Sequence, residues 1–261
     1  MSPPDLHAVR VRRTAHVATL GTPAAAETWW VALHGYGQRA ADFAEQCAAL
    51  TGPDRAIVAP EALSRFYVDG LETHETVGAS WMTRAAREDE IADYVEYLDT
   101  VVRRLRPDRG NRKSAEEEVV SGLRPDRGNR KSAGEEEGSG PRPDQGERPE
   151  EASPSICVLG FSQGAATASR WALLGDTAVD RLVLWGGAPA HDLDLSAHAE
   201  RLRALDLTLV TGTDDPYVTE ERRAAVRRRL DRHDIPVTER TFEGGHRLDD
   251  AVLGEIAAEA A

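Results

Sequence analysis

Two cysteines stand among the 261 residues, too few for a disulfide framework or a four-thiolate zinc site. Lysine is almost missing: Lys113 and Lys131 are the only two, and every other basic residue is arginine. No apolar run reaches the roughly 18 residues that a membrane span requires. Positive charge is in deficit, with 32 Lys and Arg against 45 Asp and Glu and a formal net charge of −13. Such a surface repels phosphate backbones, so nucleic acid is not an expected partner. The opening stretch MSPPDLHAVRVRR has neither an apolar core nor a small-residue cleavage site, so no secretory signal is expected. A cytoplasmic, reducing setting is the default. The shortage of lysine beside an excess of acid leaves two readings open, a GC-rich genome or adaptation to salt.

What is present is ordinary for a folded protein. Hydrophobic residues make up 40% of the chain, which excludes wholesale disorder. One segment stands apart. LRPDRGNRKSA at 105–115 recurs at 123–133, and each copy runs into an acidic cluster, Glu116–Glu118 and Glu135–Glu137. From 106 to 154 proline, glycine and mixed charge dominate, and too little apolar surface is present to offset the entropy of ordering. The expectation is one domain spanning 1–261, interrupted by a disordered, duplicated insertion at about 106–154.

Outside that segment, short apolar runs alternate with amphipathic stretches. WWVAL at Trp29–Leu33, AIVA at Ala56–Ala59, SICVL at Ser155–Leu159, Leu182–Trp185 and Leu207–Thr211 read as buried strands. Helices are expected at Ala41–Leu50, Glu90–Leu105, 164–174, 196–205, 219–232 and 247–260. In Glu90–Leu105, Ile91, Tyr94, Val95, Leu98, Val101, Val102 and Leu105 form one continuous stripe. Strands alternating with helices predict an α/β fold, a mostly parallel central sheet with helices on both faces. His7–Leu20 alternates more and is expected to form an antiparallel edge hairpin.

The strand SICVL runs into Gly160-Phe161-Ser162-Gln163-Gly164 and then a helical stretch. This is G-x-S-x-G in a strand–turn–helix setting, which lifts a serine Oγ above the sheet. Bulkier residues two positions either side of the serine would collide with neighbouring elements. A serine needs a base, and the base an orienting carboxylate. Gly212-Thr213-Asp214-Asp215-Pro216-Tyr217-Val218 and then Gly244-Gly245-His246 follow later strands, in the order Ser, Asp, His. Both lie at C-terminal strand ends, where an open parallel sheet keeps its site. The loop His34-Gly35-Tyr36-Gly37 after WWVAL supplies a candidate second oxyanion donor, Tyr36 N–H, beside that of Gln163.

Taken together, HGYG, GFSQG, GTDDPYV and GGH resemble the phospholipase/carboxylesterase family of α/β-hydrolases, which includes the acyl-protein thioesterases. The resemblance runs from about residue 27 to the end, apart from the insertion and Ser64–Gly78. It implies an α/β-hydrolase fold and a serine carboxylesterase or thioesterase working through an acyl-enzyme. In it Ser162 is nucleophile, His246 base and acid, and Asp215, the aspartate before proline, the orienter. The backbone amides of Tyr36 and Gln163 form the oxyanion hole. Trp81, in Ala79-Ser80-Trp81, falls near the acyl pocket. No cofactor or metal is implied, the substrate is a small-molecule or lipid-like ester, and the protein is a monomer or homodimer. A peptidase or dienelactone-type hydrolase, or a non-catalytic hydrolase-like binding protein, are the alternatives.

Several residues have a plainer reading. Asp214 is a competitor for the carboxylate role or a turn cap. His34 is expected to hold its loop rather than act as a base. Cys47 and Cys157 are expected to behave as small buried hydrophobes. The insertion joins a helix C-terminus to a strand N-terminus, the edge of a parallel sheet away from its active site. Deleting Arg106–Ser153 is therefore expected to leave ester hydrolysis largely intact. Turnover of the folded deletion variant, set beside the full chain, checks this.

Overall fold

In a computed structural model of the chain, the described residues are 4–5, 7–70, 73–106 and 153–259. The expected insertion falls almost entirely outside them. Met1–Leu105 and Pro154–Ala261 make up one compact unit, and every element below belongs to it.

Seven strands form the main sheet in the order β1-β3-β2-β6-β7-β8-β9. They are β1 Val17–Leu20, β2 Thr28–Leu33, β3 Arg55–Pro60, β6 Ser155–Phe161, β7 Arg181–Trp185, β8 Asp206–Gly212 and β9 Thr238–Phe242. All neighbours pair in parallel except β1, which runs antiparallel to β3 with Val17 opposite Pro60 and Leu20 opposite Ile57. The expected edge hairpin is thus a single edge strand. Residues 8–16 make no strand, and their valines show why: Val9 and Val11 are about 80% exposed and bury nothing. A second sheet, β4 Ser64–Tyr67 against β5 Val77–Ser80, is an antiparallel pair that the sequence pattern did not reveal.

The central strands are apolar on both sides because both sides are covered. In β2, Trp29, Val31 and Leu33 face one core while Trp30 and Ala32 face the other. The first core is roofed by α2 Arg87–Leu105, α3 Gln163–Leu174, α4 Ala199–Ala204 and α5 Glu220–Asp231. The second is roofed by α1 Ala40–Gln46 and α6 Asp250–Ala258. The stripe expected on α2 buries Ile91, Tyr94, Leu98, Val101 and Val102. Helix α1 is shorter than its apolar spacing suggested. It ends at Gln46, and Ala48–Leu50 continues as one 3-10 turn that seats Leu50 in the core. No helix among the described residues is long and apolar enough to cross a membrane.

A buried carboxylate ties the helical layer together. Asp99 on α2 accepts from Trp171 Nε1 on α3 at 2.8 Å, from the backbone of Asp176 at 2.8 Å and Thr177 at 3.0 Å, and from Thr177 Oγ1 at 2.7 Å. Burial pushes its carboxyl up, but the four donors outweigh that and hold it below the usual range. Asp99→Ala strands several of those donors in a site that water reaches poorly. A loss of about 3 kcal/mol is expected, read as a lower midpoint in denaturant unfolding.

Candidate active site

The sharpest local feature is the junction of β6 and α3. Ser162 sits between them with φ 55° and ψ −114°, a left-handed conformation that a side-chain-bearing residue adopts only under constraint. The constraint is contact on every side. Ser162 N–H donates to Trp185 O on β7 at 2.9 Å. A Cβ on Gly160 would lie 2.3 Å from Gly164 O, and one on Gly164 would lie 2.1 Å from Leu33 O. Only glycine fits at either position, because the helix start crosses directly over the strand end.

Three further segments converge on this serine. The first follows β8. Asp215 is buried, and its Oδ1 accepts from the backbone N–H of Tyr217 at 2.8 Å and Val218 at 3.2 Å. Its neighbour Asp214 points to solvent and fixes the turn through its backbone N–H, which donates to Gly244 O at 2.8 Å. The second follows β9 and carries His246. Its Nδ1 lies 2.7 Å from Asp215 Oδ2, and its Nε2 lies 2.8 Å from Ser162 Oγ. The imidazole packs against the rings of Phe161 and Tyr217, each with its centroid 4.8 Å away. A carboxylate only accepts, so Nδ1 carries the proton in the neutral ring and Nε2 is left to accept from the serine hydroxyl.

The third segment is the loop after β2. His34 is fully buried, and Ala62 N–H donates to its Nε2 at 3.1 Å, which leaves Nδ1 to donate to Gly35 O at 2.8 Å. Burial lowers its pKa and keeps the ring neutral. It holds the loop. Gly35 N–H donates to Gln38 Oε1 at 2.7 Å, and Gly37 N–H to Ala79 O on β5 at 2.9 Å. Between these pinned glycines sits Tyr36, its side chain 60% exposed and its ring 4.9 Å from Phe66. The amide of Gln163 is the first of α3 and by position has no helical acceptor.

Sequence reasoning missed how these parts are braced. The Gln163 side chain accepts from Trp81 N–H at 3.0 Å and donates to Met82 O at 2.9 Å, clamping the start of α3 to the end of the β4–β5 pair. Trp81 is buried beneath the loop, with its indole N–H on His34 O at 2.9 Å. Its side chain supports the loop from below. Glu61, also buried, accepts from Arg39 Nε and Arg65 Nε at 2.6 Å each, joining the start of α1 to β4. An acid following a strand-ending proline was the only signal for it. Both cysteines are buried, and burial raises the Cys157 thiol to about 11. Among the described residues no cluster of three or more His, Cys, Asp or Glu is arranged to hold a metal ion.

With this geometry in place, comparison with known proteins is informative. The family model described as serine hydrolase (FSH1) matches residues 27–248. No curated protein matches the sequence significantly. Solved structures of low identity share the fold. Zea mays acyl-protein thioesterase 2 is 15% identical with a TM-score of 0.60, over 95% of this chain and 100% of that one. A carboxylesterase from Mesorhizobium loti is 16% identical at 0.57, over 94% of each chain. A Bacillus cereus carboxylesterase is 14% identical at 0.55, over 94% of this chain and 93% of that one.

The Glu61 brace has a pH signature. Burial pushes its carboxyl up, but the hydrogen bonds from Arg39 and Arg65, helped by Ala40 N–H, bring it down to about 2. A depressed carboxyl stabilises the fold above its unfolded pKa of about 4.3 and loses that contribution as pH falls toward about 2. Glu61→Gln is expected to cost about 2 kcal/mol at pH 7. The gap to wild type narrows between about pH 4.5 and 2, as urea unfolding at each pH measures.

Proposed function

Because the chain belongs to the serine hydrolase (FSH1) family, we propose that it is a carboxylic ester hydrolase, acting on oxygen or sulfur esters through an acyl-enzyme on Ser162. The observation that carries this reading is the continuous chain Asp215–His246–Ser162, with contacts of 2.7 and 2.8 Å. Both distances lie within the reach required for proton transfer.

In this mechanism Ser162 Oγ attacks the acyl carbon while His246 Nε2 takes its proton. Asp215 keeps the proton on Nδ1 and stabilises the imidazolium that forms. The oxyanion accepts hydrogen bonds from the backbone N–H groups of Tyr36 and Gln163, in a site already organised before substrate arrives. His246 then gives the proton to the departing alkoxide or thiolate. Water attacks the acyl-enzyme, losing its proton to the same Nε2, and the acid leaves with Ser162 restored. The strained backbone at Ser162 supports this assignment, since strain of this kind persists where the surrounding structure over-determines it.

Hydrolysis of 4-nitrophenyl esters from acetyl to palmitoyl, by wild type and Ser162→Ala, tests the proposal. The variant is expected to lose at least about a thousandfold in turnover. A Ser162→Ala protein as active as wild type, or a wild type inert on every ester, removes it and favours a binding role for the same scaffold.

A further inference from the structure

A cavity of about 150 Å³ opens beside the imidazole, between α5 and the strands β8 and β9. Its inner end is Gly186 and Gly187, which follow β7. A Cβ on Gly186 would lie 2.9 Å from His246 Cε1, and one on Gly187 would lie 3.0 Å from Ser162 O. The two glycines thus lie close to His246 and to the Ser162 backbone, and Tyr217, also on the cavity wall, packs against the imidazole. Its floor is apolar, formed by Ala188, Leu209, Val218 and Val226. At that volume it takes a short chain. Sites for drug-sized ligands run to about 300–1,000 Å³.

Its rim is cationic, against the trend of a chain with net charge −13. Arg222 and Arg223 on α5 both line it. The Arg222 guanidinium donates to Tyr217 O at 2.6 Å, and no salt bridge to a carboxylate engages it among the described residues. Arg223 pairs with the exposed Glu220 through Nη2, and its buried Nε has no acceptor among the described residues. The other charged residues on the wall are each engaged with an opposite charge, although the buried Nε of Arg240, like that of Arg223, has no acceptor among the described residues. Glu239 is paired with Arg227 at 2.8 Å, and Arg240 with Glu255 at 3.1 Å and with Glu259. The result is a largely apolar pocket near the His246 ring whose wall carries two arginines that no carboxylate of the same wall engages. Guanidinium forks match carboxylates in both charge and shape.

We propose that this cavity is the acyl subsite and that it selects short esters or thioesters whose acyl chain ends in a second, ionised carboxylate. The inference rests on the ester-hydrolase reading. The acyl carbon sits over Ser162, the methylenes run past Gly186 and Gly187 along Leu209 and Val226, and the terminal carboxylate meets Arg222 and Arg223.

The experiment compares 4-nitrophenyl hydrogen adipate with 4-nitrophenyl hexanoate, which have equal acyl length and differ in the terminal charge. Rates are corrected for spontaneous hydrolysis, and the full chain is used. Wild type is expected to favour the adipate about tenfold or more in kcat/KM. The double variant Arg222→Gln, Arg223→Gln brings that ratio close to one, chiefly through KM for the adipate, and Arg223→Lys alone keeps part of the preference. A wild-type ratio at or below one overturns the proposal, as does a preference that survives the double substitution. Labelling of Ser162 by a fluorophosphonate separates the two levels. A protein that labels without favouring the adipate loses only this inference, whereas one that neither labels nor turns over either ester loses the ester-hydrolase reading with it.

Discussion

The structure turns on one close crossing of backbone. Helix α3 begins directly above the end of β6, so near to β2 that Gly164 lies against the carbonyl of Leu33. That approach forces Ser162 into its left-handed conformation and places the first amide of α3 beside its Oγ. The same contact fixes the loop after β2, since Leu33 and His34 supply the carbonyls that Gly164 rests against. Ser162, helix start and loop are therefore set by one steric event. A methyl group at Gly164 would displace all three together.

Around that crossing the protein spends its few buried polar groups on bracing. His34, Glu61 and the Gln163 side chain each join segments distant in sequence, and each has its hydrogen-bonding atoms matched. Loops carry backbone donors and acceptors that need partners when buried. The loop from His34 to Gln38 finds them in β5, in Ala62 and in its own glutamine. A loop held this way keeps its backbone amides in fixed positions. Near His246 the bracing gives way to a cavity under α5. Two arginines line it, one bonded to a backbone carbonyl and one to the exposed Glu220.

Membership of the serine hydrolase (FSH1) family and the mostly parallel seven-stranded sheet agree with what the motifs implied. The chain belongs to the serine hydrolase (FSH1) family and has an α/β-hydrolase fold. Strands β2, β3, β6, β7 and β8 were legible because each is a continuous apolar run, and burial on both faces leaves no alternative composition. Helix α2 was legible from one long stripe at helical spacing. The edge hairpin was misread, since alternation in residues 7–20 reflects an extended segment of which only Val17–Leu20 pairs. The β4–β5 pair was not legible at all. Its strands are four residues each, β4 half exposed and β5 mostly buried, so packing against the loop after β2 decides them rather than any pattern of their own.

What the sequence determined by itself was the local chemistry. The glycines around Ser162, the aspartate before Pro216 and the Gly-Gly-His near the end follow from steric and turn requirements that act within a few residues. Tertiary structure decided everything that depends on distance across the fold. It chose Asp215 over Asp214, because one carboxylate turns inward to His246 and the other turns to water. It placed Trp81 under the loop, where its indole meets His34. It brought α5 over β8 and β9, so that arginines written as part of a charged helix face line a cavity near His246. Such placements arise from contacts between residues far apart in the chain, and no short-range pattern in a sequence encodes them.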